Sequence, residues 1–215
     1  MTNFEIAAYI DHTLLKPTAT WQQIEALCDE AIRYKTASVC IPPNYIARVK
    51  EKYGDDLKIA TVIGFPLGYE TTAAKAEETA TALDDGADEI DMVINITDVK
   101  NSDYDLVREE IASLKAICAD KILKVIVETC YLTKEEKINM CNIVTEAGAD
   151  YIKTSTGFGT AGATLEDVKL FKEYIGENVK IKAAGGIRTK EDMIAYIKEG
   201  VSRIGCSSTK VLFEE

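Results

Sequence analysis

Along this chain, short runs of apolar and β-branched residues alternate with longer segments whose apolar positions recur at i, i+3, i+4 and i+7. The first pattern predicts strands at 8–12, 38–41, 58–63, 89–95, 123–128, 151–155, 180–184 and 203–206, and the second predicts amphipathic helices between them. Thr20 is placed to cap a helix over 21–34, and Pro43 sits where a first helical turn tolerates a missing N–H. Further helices are expected at 71–85, 103–119, 134–147, 165–175 and 190–199, with a short last one from Thr209. Strands that alternate with helices imply parallel βαβ units, and eight of them imply a closed barrel or a long open sheet.

A partial repeat favours the barrel. Three helix-to-strand junctions read Gly86-Ala87-Asp88-Glu89-Ile90-Asp91, Gly148-Ala149-Asp150-Tyr151-Ile152-Lys153 and Gly200-Val201-Ser202-Arg203-Ile204-Gly205. If each glycine closes its helix in the left-handed conformation, the chain enters strands four, six and eight in one register. In a (β/α)8 TIM barrel, the inward side chains of a layer come from alternate strands. Period-two alternation then turns Glu89, Asp91, Tyr151 and Lys153 inward, and Ile90, Met92, Ile152 and Thr154 toward the helices. Lys182, on odd strand seven, is expected in a neighbouring layer. The length of 215 residues is near the lower limit for this fold, and no linker or low-complexity tract interrupts it. One α/β barrel domain over residues 1–215 is therefore expected.

Lysine inside a core strand is costly, and burial drives its amine toward the neutral form. Two lysines converging in an apolar barrel mouth, Lys153 and Lys182, are expected to lower each other's pKa, and a lysine so depressed is a nucleophile toward aldehydes and ketones. Asp91 fits the role of proton carrier beside the resulting imine. A structural ion pair between Asp91 and one lysine is the competing reading.

Composition narrows the chemistry. The net charge of −11, from 25 basic and 36 acidic residues, argues against nucleic acid or an anionic membrane as partner. Six cysteines without a C-x-x-C pair read as reduced thiols of a cytoplasmic protein. Cys28, Cys118 and Cys141 fall on helices as core thiols, and Cys40 ends strand two, able to face the site. His12 is the only histidine, so zinc sites with several imidazoles and a Ser-His-Asp triad are removed. The chemistry then runs on lysine and carboxylate, or on a cofactor. An anionic substrate needs local donors. Gly185-Gly186-Ile187-Arg188 after strand seven and Gly205-Cys206-Ser207-Ser208-Thr209 after strand eight supply backbone N–H groups where such barrels hold phosphate.

With these residues in view, the chain resembles the deoxyribose-phosphate aldolase family of class I aldolases. The matching stretches are IDHTLLKP at 10–17, VCIPP at 39–43, VIGFPLG at 62–68, EIDMVIN at 89–95, KTSTGF at 153–158 and KAAGGIR at 182–188. The resemblance implies reversible cleavage of 2-deoxy-D-ribose 5-phosphate to D-glyceraldehyde 3-phosphate and acetaldehyde. It implies Lys153 as the Schiff-base lysine, Lys182 as the lysine that perturbs it, and Asp91 as the proton-transfer carboxylate. Thr156, Gly157, Gly185, Gly186, Gly205, Ser207 and Ser208 are expected at the substrate and its phosphate, with Asp11, Thr13 and Cys40 lining the site. No metal and no cofactor are implied; the partners are a phosphorylated sugar, aldehydes and further copies of the chain in a dimer or tetramer. Some family members end in a tyrosine implicated in proton transfer. The tail Lys210-Val211-Leu212-Phe213-Glu214-Glu215 carries none, so that role is expected to be absent or filled otherwise. Two other readings stay open: a class I aldolase for another phosphorylated sugar, and a non-catalytic phosphosugar-binding barrel.

Overall fold

The computed structural model of the protein describes residues 1–213, so Glu214 and Glu215 of the tail lie outside the described residues. Within them, β1 (Ile10–Thr13), β2 (Ser38–Ile41), β3 (Ile59–Ile63), β4 (Glu89–Val93), β5 (Ile122–Ile126), β6 (Tyr151–Lys153), β7 (Lys180–Ala184) and β8 (Arg203–Cys206) pair in sequence order and close on themselves as a parallel barrel. The helices are α1 (Asn3–Ala7), α2 (Trp21–Tyr34), α3 (Ile46–Tyr53), α4 (Thr72–Asp84), α5 (Ile96–Lys100), α6 (Tyr104–Cys118), α7 (Lys134–Glu146), α8 (Leu165–Tyr174) and α9 (Lys190–Glu199). This is the (β/α)8 TIM barrel that the alternation predicts.

Helix starts follow local chemistry. Thr20, Thr133 and Thr189 each accept a hydrogen bond from the third backbone N–H of their helix, while Gln23, Glu136 and Asp192 reach back to the cap. Such reciprocal capping satisfies two donors that the helix leaves unpaired. Gly86, Gly148 and Gly200 take φ values of +106°, +74° and +113°, so the three junctions do turn alike.

The differences from the sequence reading are short segments. α1 and α5 have five residues each, too few to show a helical period. Strand one starts at Ile10 and not at residue 8, because residues 3–7 form the capped helix α1. The stretch after Pro42 opens as a 3₁₀ turn, Pro43–Tyr45, before α3. β4 stops at Val93, because Asn95 turns to cap α5 with its side chain.

Two cores result. Outside the barrel, Ile10, Val39, Ile90, Met92, Ile152, Ile181 and Ile204 pack against Cys28, Ile111, Cys118, Cys141, Val144 and Phe171 of the helices. Inside, Cys40, Ala60 and Val62 from β2 and β3 form a small apolar cluster with Leu15 and Phe65 over it. Much of the remaining interior is charged. All six cysteines are free, and no helix among the described residues is long and apolar enough to cross a membrane.

Candidate active site

Glu89, Tyr151 and Arg203 occupy equivalent places in the three repeats, and the structure brings them together at the barrel floor. Arg203 binds Glu89 at 2.9 Å and lies 5.7 Å from the centre of the Tyr151 ring. Two residues further along each strand come Asp91, Lys153 and Gly205. Asp91 and Lys153 meet at 2.7 Å. The third position must be glycine: a Cβ at Gly205 would stand 2.9 Å from Ala184 Cβ and 3.4 Å from Lys182 Cε. The missing side chain is the space through which Lys182 passes.

The odd strands β1, β5 and β7 interleave Asp11, Lys124 and Lys182. Asp91 Oδ2 accepts from Lys153 at 2.7 Å and from Lys182 at 2.6 Å, and its Oδ1 accepts from Lys124 at 2.6 Å. Lys182 also donates to Asp11. Asp11 is further held by Arg203 at 2.5 Å and Ser38 at 2.7 Å, and Lys124 reaches Glu89 at 2.6 Å. Asp91, Lys124 and Lys182 are at most 1% exposed.

Charge counting sets one amine apart. Asp11, Glu89 and Asp91 bring three negative charges; Lys124, Lys182 and Arg203 bring three positive ones. Lys153 is a fourth cation, and the network is neutral only when its amine is uncharged. Burial pushes Lys153 below the usual lysine value, the Lys182 ammonium adds to that, and Asp91 only partly opposes it. Burial also disfavours the charge on Lys182, but Asp11 and Asp91 outweigh it and hold its pKa above the usual value. The expected mutual depression of two lysines is therefore corrected to a one-sided one: Lys153 is held below the usual lysine value and Lys182 above it. Burial alone would raise the Asp91 carboxyl, yet the positive charge of the surrounding lysines, Lys124 foremost, holds it well below the carboxylate range.

Lys153 is the member of this network that opens on a cleft of about 440 Å³ at the C-terminal ends of the strands. Thr13, Thr156, Gly157, Gly185, Gly186, Gly205 and Ser207 line the same cleft. Lys182, Asp91, Asp11 and Cys40 lie beneath it, and burial pushes the Cys40 thiol up. Two expectations change. Ser208 is not among the lining residues; its N–H points to Cys206 Sγ at 3.2 Å. Thr156 directs its hydroxyl and its N–H to the buried carboxylate of Glu128, so its polar groups organise the loop after β6. Lys16 and Arg188, exposed at the rim, add positive charge that the backbone donors alone do not have.

Lys124, Arg203 and Glu128 were absent from the sequence-derived site. Lys124 falls in inward phase with Ile126, and Arg203 matches Glu89 in the repeat, so parity contained both. Glu128 lies two residues beyond β5 in a left-handed conformation at φ +52°, which no local pattern signals.

Fold and site together define a (β/α)8 barrel enzyme of the aldolase class. The chain belongs to the DeoC/LacD family aldolases, whose sequence model matches residues 5–208. It is 66% identical over 207 residues to the deoxyribose-phosphate aldolase of Clostridium botulinum strain Alaska E43 / Type E3, covering 96% of this chain and 94% of that protein. A crystal structure described as a putative deoxyribose-phosphate aldolase from Coccidioides immitis superposes with a TM-score of 0.95 at 39% identity, covering 100% of this chain and 87% of that one. The deoxyribose phosphate aldolase of Aeropyrum pernix, described as a unique tetramer, gives a TM-score of 0.90 at 30% identity, covering 98% and 91%.

Proposed function

We propose that this chain is a class I aldolase that reversibly cleaves 2-deoxy-D-ribose 5-phosphate to D-glyceraldehyde 3-phosphate and acetaldehyde. The observation that carries this reading is a buried lysine amine, Lys153, held toward neutrality by burial and by its Lys182 neighbour while it lines the cleft. The relatives named above support the substrate.

In the cleavage direction the Lys153 amine adds to C1 of the open-chain sugar, and loss of water leaves an iminium that withdraws electrons. The C3 hydroxyl gives up its proton, the C2–C3 bond breaks, and glyceraldehyde 3-phosphate leaves. The remaining two-carbon enamine takes a proton at its methylene carbon, and hydrolysis of the iminium releases acetaldehyde and regenerates the amine. Asp91 and Lys182 share a hydrogen bond beside Lys153 and form the proton-handling pair. Because Asp91 sits so far below the usual carboxylate range, it passes a proton on with Lys182 and does not store one. Backbone N–H groups at Gly186 and Ser207, with Lys16 and Arg188 at the rim, receive the phosphate. The chain works in the cytoplasm as a homo-oligomer, a reading supported by the tetramer described for the Aeropyrum pernix protein and tested by light scattering.

Borohydride reduction with acetaldehyde tests the chemistry. An ethyl group on Lys153, located by mass spectrometry and absent from Lys153→Ala, is the expected result. A stoichiometric adduct on Lys182 or Lys124 would overturn the assignment, as would no adduct. Dihydroxyacetone phosphate in place of acetaldehyde should give no adduct, which separates this donor from those of other aldolases.

A further inference from the structure

His12 is buried on the outer side of β1, away from the cleft, and both of its ring nitrogens are engaged. Nε2 lies 2.9 Å from Glu30 Oε2 on α2, and Nδ1 lies 2.9 Å from the Thr209 hydroxyl. Burial lowers the imidazole pKa, more than the Glu30 hydrogen bond raises it. Beside a carboxylate the ring carries a proton on Nε2 toward Glu30. A polar chain therefore connects the Thr209 hydroxyl through His12 to Glu30.

Thr209 is 0% exposed and reaches no substrate. It directly follows Ser207 and Ser208, the turn that leaves β8 beside the cleft. The base of the turn is fixed as well: His12 pairs in register with Cys206, whose Sγ accepts the Ser208 N–H. Glu30 also holds Lys210 at 2.6 Å. One carboxylate on α2 thus grips the segment beyond the turn at two points.

Resting on the phosphate reading above, we propose that Glu30, His12 and Thr209 form a positioning relay that sets the Gly205–Ser208 turn for the substrate's phosphate. Its members touch no reacting atom. Their effect is confined to substrates that carry the phosphate, because the Lys153 network is built from the opposite face of the strands.

The test compares Thr209→Val and Thr209→Ser in the full-length protein with 2-deoxyribose 5-phosphate and with unphosphorylated 2-deoxyribose. Loss of one net hydrogen bond predicts a rise of about tenfold in KM for the phosphorylated sugar in Thr209→Val. Its kcat/KM for 2-deoxyribose and its Lys153 ethyl adduct should match wild type, and Thr209→Ser should restore the wild-type KM. Equal losses on both sugars, no change in KM, or a Ser variant as impaired as Val would each overturn the relay. If Thr209→Val does not fold by urea titration, Glu30→Gln takes its place: the same split between the two sugars supports the relay, and its absence overturns it. A wild-type protein that forms no adduct with acetaldehyde would instead sink the aldolase reading, an outcome distinct from any of these.

Discussion

Lys153 and Lys182 converge on one oxygen of one carboxylate, Asp91 Oδ2, at 2.7 and 2.6 Å. They are adjacent in the β6–β7 register yet are driven in opposite directions. Lys182 has a second carboxylate, Asp11, and Lys153 has no second one among the described residues.

Removing the Lys182 charge should move the pH at which Lys153 forms an imine. In Lys182→Leu, Asp91 is left to favour the Lys153 ammonium, so the amine's pKa rises and trapping at pH 7 falls, with recovery at higher pH. Lys182→Arg keeps the charge but exchanges protons poorly, so it should trap well and turn over slowly. The pH profile of the borohydride adduct in the three proteins measures this. Coincident profiles would mean that Lys182 does not tune Lys153.

Lys153 should weaken the fold at neutral pH. Its folded pKa is lowered, so between that value and the unfolded value of about 10.4 the unfolded chain binds more protons, and stability rises with pH. Lys153→Met lacks this slope and leaves three charges of each sign. The variant should be more stable than wild type near pH 7, by a margin that shrinks toward pH ~10. Urea titrations across that range decide it; a margin independent of pH would contradict the depressed pKa.

Gly205→Ala should cost stability by crowding and not by backbone strain. Its Cβ would meet Ala184 at 2.9 Å, and overpacking of this kind costs roughly 1–3 kcal/mol. A shift of β7 under that contact should lower turnover as well, because Ala184 and Lys182 share the strand. Thermal unfolding and kcat, measured together, check it, and a variant unchanged in both would remove the argument for a glycine there.

Glu128→Ala should loosen the loop that carries Thr156 and Phe158. The Thr156 N–H and hydroxyl lose their acceptor in a buried place, at a cost of about 1–3 kcal/mol. Faster amide exchange at Thr156 and a lower urea midpoint are expected. Native exchange protection at Thr156 would show that the carboxylate does not hold the loop.

The sequence by itself determined the barrel, because the apolar periods and three glycine junctions each state a local conformation that the tertiary fold leaves intact. It also placed Asp91 and Lys153 together, since parity along a strand follows from the pleat. Lys124 and Arg203 were open to the same argument, for they share that inward phase. Tertiary structure alone decided which amine is held below the usual lysine value. The pKa of Lys153 depends on the summed field of Asp11, Glu89, Asp91, Lys124, Lys182 and Arg203, contributed by five strands from residue 11 to residue 203. No local pattern carries that sum. Closure of the barrel brings the six within a few ångströms of one another, and their three charges of each sign leave Lys153 as a fourth cation whose pKa is pushed down.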